Sequence, residues 1–99
     1  MVLFRRVLGD VLRHQRVQRG MTLREVSAGA RVSLGYISEI ERGQKEASSE
    51  LLASLCNAMD LTLSQVIREV SDQVALEEAA LAPIPLPVRV DATAASSAA

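Results

Sequence analysis

The chain has few groups for covalent or metal chemistry and several for binding anions. It contains one histidine, His14, and one cysteine, Cys56. It therefore lacks a metal-ligand cluster, a nucleophile paired with a base, and an intrachain disulfide. We predict neither an enzyme nor a protein that needs a metal or cofactor. The chain instead offers a group of cationic side chains that can bind anions such as phosphate. They are Arg24, Arg31, Arg42 and Lys45.

The charge is segregated along the chain. The formal net charge is −1, but residues 1–47 carry nine Lys/Arg and five acidic residues, a local charge of +4. Residues 48–99 carry two arginines and seven acidic residues, a local charge of −5. Because a phosphate-rich partner responds to the local patch rather than to the total, the near-neutral balance does not exclude nucleic-acid binding.

Two short helices in quick succession must position these cations. Thr22 followed by Glu25 is a capping box, and Ser33 is the N-cap of a second helix that extends to Arg42. Gly43 suits the left-handed conformation that ends a helix. Helices this short and this close cross steeply, which is the geometry of a helix-turn-helix.

The flanking sequence predicts three further helices and no strand. Apolar residues recur at helical spacing before Gly20, after the N-cap Ser48 and after the capping box Thr62–Gln65. Cys56 falls on an apolar helix face and is predicted to be a small core residue. We divide the chain into a domain over residues 1–69, a C-terminal helix over 70–82, and a Pro-rich then Ser/Ala-rich disordered tail over 83–99.

These motifs resemble a known family. The segments TLREVS, ARVSLGYISEIERG and SSELL, within residues 3–69, resemble the Cro/cI repressor-like helix-turn-helix family. Within that family they are most similar to the actinobacterial regulators of Clp protease genes. The resemblance implies an all-α, five-helix DNA-binding domain, to which this chain adds a C-terminal dimerisation helix.

The resemblance also implies site residues. The predicted base contacts, at the start and outer face of the second helix, are Leu34, Gly35, Ser38 and Glu39. The predicted phosphate contacts are Arg24, Arg31, Ser33, Tyr36, Arg42 and Lys45. The alternative for Glu39, and for any single cation, is an ordinary solvated surface.

Two further residues are expected to be structural, and two positions depart from the family. The resemblance pairs Arg16 with Glu41, so both are left out of the DNA contacts. Leu23 stands where the family usually has a DNA-contacting glutamine. Arg31 stands where the family often has glycine. Either Arg31 is left-handed and carries local strain of roughly 1–2 kcal/mol, or the turn has a different shape and the second helix is shifted slightly.

An apolar stripe after Leu63 exceeds what a five-helix core can cover, and it predicts a homodimer. Its members are Val66, Ile67, Val70, Val74 and Leu81. The alternative is that Val66 and Ile67 complete the monomer core and the remainder frays.

The leading function is a transcription regulator that binds an inverted repeat in double-stranded DNA. The resemblance suggests activation of Clp protease and chaperone genes, with RNA polymerase as a further partner. The alternative is an antitoxin-type interaction module of the same fold. No apolar run suits a membrane or a signal peptide, so the expected location is the cytosol.

The last two residues carry a separate hypothesis. Ala98 and Ala99 follow a Ser/Ala-rich stretch and resemble the tags that Clp-type unfoldases recognise, which would make the Clp protease a partner. The alternative is an inert tail.

Overall fold

The computed structural model describes residues 1–82, which form five helices. These are α1 (Phe4–Gln18), α2 (Leu23–Ala30), α3 (Leu34–Glu41), α4 (Ser49–Ala58) and α5 (Leu63–Leu81). The described residues contain no strand, so the predicted all-α class is confirmed. None of these five helices is long and apolar enough to cross a membrane. The predicted tail, with Ala98 and Ala99, lies outside the described residues.

Four helices begin at the N-caps expected from the sequence. Thr22 and Thr62 each form a full capping box, with Glu25 and Gln65 respectively. The hydroxyls of Ser33 and Ser48 accept from backbone N–H groups three residues later. Each cap satisfies a backbone donor that the first helical turn cannot, so local chemistry alone fixes where these helices start.

The core is almost entirely aliphatic. It forms where α1 packs on α3 and α5, α2 on α3 and α4, and α4 on α5. Cys56 belongs to it with 2% of its surface exposed, as expected for a small apolar side chain. Burial raises the pKa of the Cys56 thiol and so disfavours the reactive thiolate.

The fifth helix is longer than predicted. We expected a boundary between residues 69 and 70, but a single helix runs across it because no breaker occurs between Leu63 and Pro83. The predicted dimerisation helix is thus the C-terminal part of α5. Its register is set by contacts to α1, where Arg6 forms a salt bridge with Glu77 and Gln15 donates to the Glu69 carboxylate.

The burial along α5 corrects the predicted dimer stripe. Val66 is fully buried and Val70 is 3% exposed, and both belong to the protomer's own core. Ile67 is 42% and Leu81 63% exposed, and Val74 is partly buried. Assigning Val66 and Val70 to a surface was wrong, because a helix lying along α1 buries its central stripe and exposes one flank.

Candidate nucleic-acid interface

A turn of three residues joins α2 to α3. Arg31 ends α2 in the left-handed conformation, with φ 59° and ψ 45°. The Val32 N–H donates to the Ser27 carbonyl at 3.2 Å, and the Ser27 hydroxyl donates to the Val32 carbonyl. These bonds hold Arg31 in a conformation that costs a non-glycine residue roughly 1–2 kcal/mol. Of the two alternatives for this turn, the structure has the left-handed Arg31; the part played by Ser27 was not predicted.

The outer face of α3 is accessible while its inner face is packed. Ile37 and Ile40 are almost fully buried, whereas Leu34 is 39% exposed. Gly35 is exposed, and Ser38 and Glu39 are partly exposed. The four predicted base contacts therefore share one accessible face at the start and middle of the helix.

Cations border this face. The side chains of Arg24, Arg31 and Lys45 are exposed, and none of them forms a salt bridge within residues 1–82. Their charges are therefore available to an external anion. Ser33 caps α3 by accepting from the Tyr36 N–H at 3.1 Å, and its own hydroxyl proton remains able to donate.

Arg42 lies along the same face. One terminal nitrogen of its guanidinium donates to the Ser38 hydroxyl, and the other donates to Gln44 Oε1 at 3.4 Å. Arg42 and Ser38 were predicted as separate DNA contacts, and no role was predicted for Gln44. Their association depends on the chain reversal after α3, which residue spacing does not reveal.

Tyr36 has a partner that was not predicted. Its hydroxyl donates to the Glu46 carbonyl at 3.0 Å, so a bond from Tyr36 to phosphate would have to replace this one. Arg5 donates from Nε to the Gly43 carbonyl at 3.0 Å on the same loop. Tyr36 and Arg5 together hold residues 43–47, which carry Lys45.

The Arg16–Glu41 pair lies on the packed side of α3, opposite its accessible face. Arg16 donates to the Glu41 carboxylate at 2.7 and 3.0 Å and to the Met21 carbonyl at 2.9 Å. Glu41 is 7% exposed. Its carboxylate raises the pKa of Arg16. The pair ties α1 to α3 and to Met21, which precedes the N-cap of α2, so it fixes the helix-turn-helix from its buried side.

The fold and the accessible face of α3 agree with a match to a known protein family. A helix-turn-helix family model matches residues 12–66, which include all of α2 and α3. Since the match covers more than half of the 99 residues, the chain belongs to the helix-turn-helix family of DNA-binding transcription regulators. The predicted class is confirmed.

Individual relatives narrow the similarity. The chain is 58% identical over 76 residues to the transcriptional regulator ClgR of Mycobacterium tuberculosis. The matched segment covers 77% of this chain and 68% of that relative. Its structure also matches the crystal structure of the clp gene regulator ClgR from Corynebacterium glutamicum, with a TM-score of 0.77 and 48% sequence identity. The match covers 81% of this chain and 85% of that chain. The predicted similarity to actinobacterial Clp gene regulators is thereby confirmed.

A more distant structure shares the fold alone. The restriction-modification controller protein C.Esp1396I has a TM-score of 0.69 at 16% identity, covering 75% of this chain and 95% of its own. The two proteins thus share the fold although most of their side chains differ.

Proposed function

We propose that this chain is a sequence-specific regulator that inserts α3 into the major groove of double-stranded DNA. The observation that carries the proposal is the two-sided character of α3. Its inner face is packed around Ile37 and Ile40, while its outer face is accessible and bordered by unneutralised cations. A recognition helix needs this division, because one side must be held rigidly while the other reaches base edges.

The proposed base contacts are Leu34, Gly35, Ser38 and Glu39. A Cβ added at Gly35 would meet no atom within 4 Å, so the fold does not require glycine there. Close approach of the backbone to DNA gives a reason for its presence. Glu39 suits a cytosine amino group, and the exposed Leu34 suits a thymine methyl.

The proposed phosphate contacts surround these residues and position α3. They are Arg24, Arg31, Ser33, Tyr36, Arg42 and Lys45. A contact from Tyr36 requires its hydroxyl to exchange the Glu46 carbonyl for a phosphate oxygen. The cations would supply most of the salt-dependent affinity by releasing counterions from the DNA.

We further propose that two copies bind an inverted repeat, with half-sites about one helical turn, roughly 34 Å, apart. The surface proposed for dimerisation is the exposed flank of α5, defined as Ile67, Val74 and Leu81. Val74 and Leu81 also line an open groove of about 510 Å³ together with Met1, Val2 and Phe4. The three residues of this flank are what remains of the predicted stripe for dimerisation, because Val66 and Val70 are buried inside the protomer.

The proposed targets are Clp protease and chaperone genes, with activation as the proposed direction of control. This rests on the similarity to ClgR of Corynebacterium glutamicum, which is described as a clp gene regulator. An activator also requires a surface for RNA polymerase, and no residue is assigned to that role.

Selection of bound fragments from the host genome tests the proposal. We expect enrichment of an inverted repeat upstream of Clp genes. Enrichment of other promoters would retain DNA binding and refute the target assignment. No preference for any genomic site over random duplex would refute the proposed function itself.

Two substitutions on the selected site then test the assigned roles. Arg42→Ala should weaken binding to all sequences and lower the slope of log K against log salt by about one. Glu39→Ala should relax the preference at one base position and leave the slope unchanged. Arg68→Ala, an exposed arginine on α5, is the control and should change neither quantity.

A further inference from the structure

The chain just beyond the C-cap of α3 has a fixed backbone conformation at Gly43 and Gln44. Gly43 has φ +75°, and its N–H donates to the Ile40 carbonyl at 3.0 Å. The Gln44 N–H then donates to the Glu39 carbonyl at 2.8 Å. These are the paired bonds of a Schellman cap, which turns the chain back across the end of the helix. Gln44 is therefore attached to a rigid backbone beside Arg42.

This backbone brings three polar side chains into one exposed cluster, defined as Ser38, Arg42 and Gln44. Arg42 bridges the other two, donating to the Ser38 hydroxyl and to Gln44 Oε1 at 3.4 Å. Glu39 lies one residue from Ser38, yet no salt bridge joins it to Arg42 within the described residues. The guanidinium thus keeps its full charge while its direction is constrained.

The chemistry of the three groups gives the cluster one hydrogen-bonding polarity. Guanidinium has donors only, so Gln44 must turn its oxygen toward Arg42 and its two N–H donors away. The Ser38 oxygen likewise accepts from Arg42, which leaves its hydroxyl proton to donate. Arg42 retains donors beyond the two it uses. The cluster consequently presents donors to whatever approaches α3.

We propose that Gln44 is a positioning residue which, with Ser38, aims Arg42 so that the cluster binds acceptor-only atoms of DNA. This inference rests on the proposed function. Two parts of DNA best match a guanidinium that approaches from the major groove: the backbone phosphate oxygens, and guanine, whose adjacent N7 and O6 acceptors can both bind one arginine. Gln44 acts through Arg42 by reducing the rotamer freedom that the long arginine side chain loses on binding.

A double-mutant cycle on the selected DNA site tests the inference. Gln44→Ala should weaken binding by about 2- to 10-fold, the range expected from ordering one flexible side chain. In an Arg42→Ala background, Gln44→Ala should cause no further loss. Gln44→Glu should weaken binding more than Gln44→Ala does, because its carboxylate neutralises the guanidinium and repels phosphate.

The two possible ligands are separated by two measurements. If Arg42 binds phosphate, Arg42→Ala lowers the salt slope by about one and 7-deazaguanine in the site has no effect on the cycle. If Arg42 binds guanine, one 7-deazaguanine weakens the original protein but not Arg42→Ala. Either result supports the positioning role when the cycle shows coupling.

The control is Gln18→Ala, since Gln18 is exposed at the end of α1, outside the cluster. Thermal unfolding should be unchanged in Gln18→Ala and in Gln44→Ala, because both side chains are exposed. Full affinity in Gln44→Ala, or strictly additive losses in the cycle, would overturn the inference while leaving the proposed function intact. Failure of the original protein to prefer any site would instead refute the proposed function.

Discussion

At the residue scale, the buried pair Arg16–Glu41 is the strongest candidate for a large stability effect. Only 12% of the Arg16 side chain and 7% of the Glu41 side chain are accessible. Glu41→Ala would leave a nearly buried guanidinium without its carboxylate. We expect the free energy of unfolding to fall by roughly 3–5 kcal/mol, measured by urea denaturation.

An exposed pair on α1 provides the matched control. Arg6 and Asp10 are 3.1 Å apart, with side chains 46% and 60% accessible. Asp10→Ala should cost less than about 1 kcal/mol, because exposed charges are already stabilised by water. Replacing Arg16 with Met and Glu41 with Leu together should lower the free energy of unfolding by less than the sum of the two single substitutions, because no charge is left buried without a partner. Equal losses in Glu41→Ala and Asp10→Ala would show that the buried pair is not structural.

At the scale of elements, Gly9 sets how closely α1 approaches α3. A Cβ built at Gly9 would lie 2.3 Å from the Ile40 carbonyl oxygen and 2.7 Å from that of Glu41. Both are backbone atoms, which cannot rotate away. Although alanine is intrinsically the better helix former, Gly9→Ala should lower the free energy of unfolding by about 1–3 kcal/mol. Chemical denaturation measures this change.

Gly35 is the control for this prediction because it also lies in a helix but has open space around it. Gly35→Ala should retain or slightly raise stability, in line with helix propensity. If Gly9→Ala instead raised the free energy of unfolding, α1 and α3 would be able to move apart without loss of packing. That result would refute the role of Gly9 in setting their distance.

At the scale of the whole molecule, the exposed flank of α5 should determine the oligomeric state. Ile67→Glu and Leu81→Glu each place a charge on an apolar surface proposed to be covered by a second copy. We expect either change to shift the protein toward monomer at equal concentration, as measured by light scattering. Both residues are exposed in the protomer, so the folded monomer should survive.

Leu76→Glu is the matched control. Leu76 is 66% exposed on the same helix, and it lies nine residues after Ile67, about two and a half turns, on the opposite side. Its substitution should leave the dimer unchanged. Equal effects from Leu76→Glu and Ile67→Glu would place the interface elsewhere or show that added charge acts nonspecifically.

Features that depend on a few neighbouring residues could be predicted from the sequence. The starts of four helices followed from Thr22, Ser33, Ser48 and Thr62, because an N-cap acts within one helical turn. The left-handed Gly43 was likewise apparent from its place after a helical run. The pairing of Arg16 with Glu41 came from the family resemblance, since nothing local relates residues that are 25 positions apart.

Which side of each helix is buried and which is accessible depends on how the helices pack together. Packing of α5 on α1 and α4 buried Val66 and Val70 and left Ile67 and Leu81 accessible. Helical periodicity leaves this choice open when the apolar stripe is wide. The reversal of the chain after α3 likewise brought Gln44 to Arg42 and the Glu46 carbonyl to Tyr36. A side chain's partners depend on the paths of several elements at once, so only the folded chain specifies them.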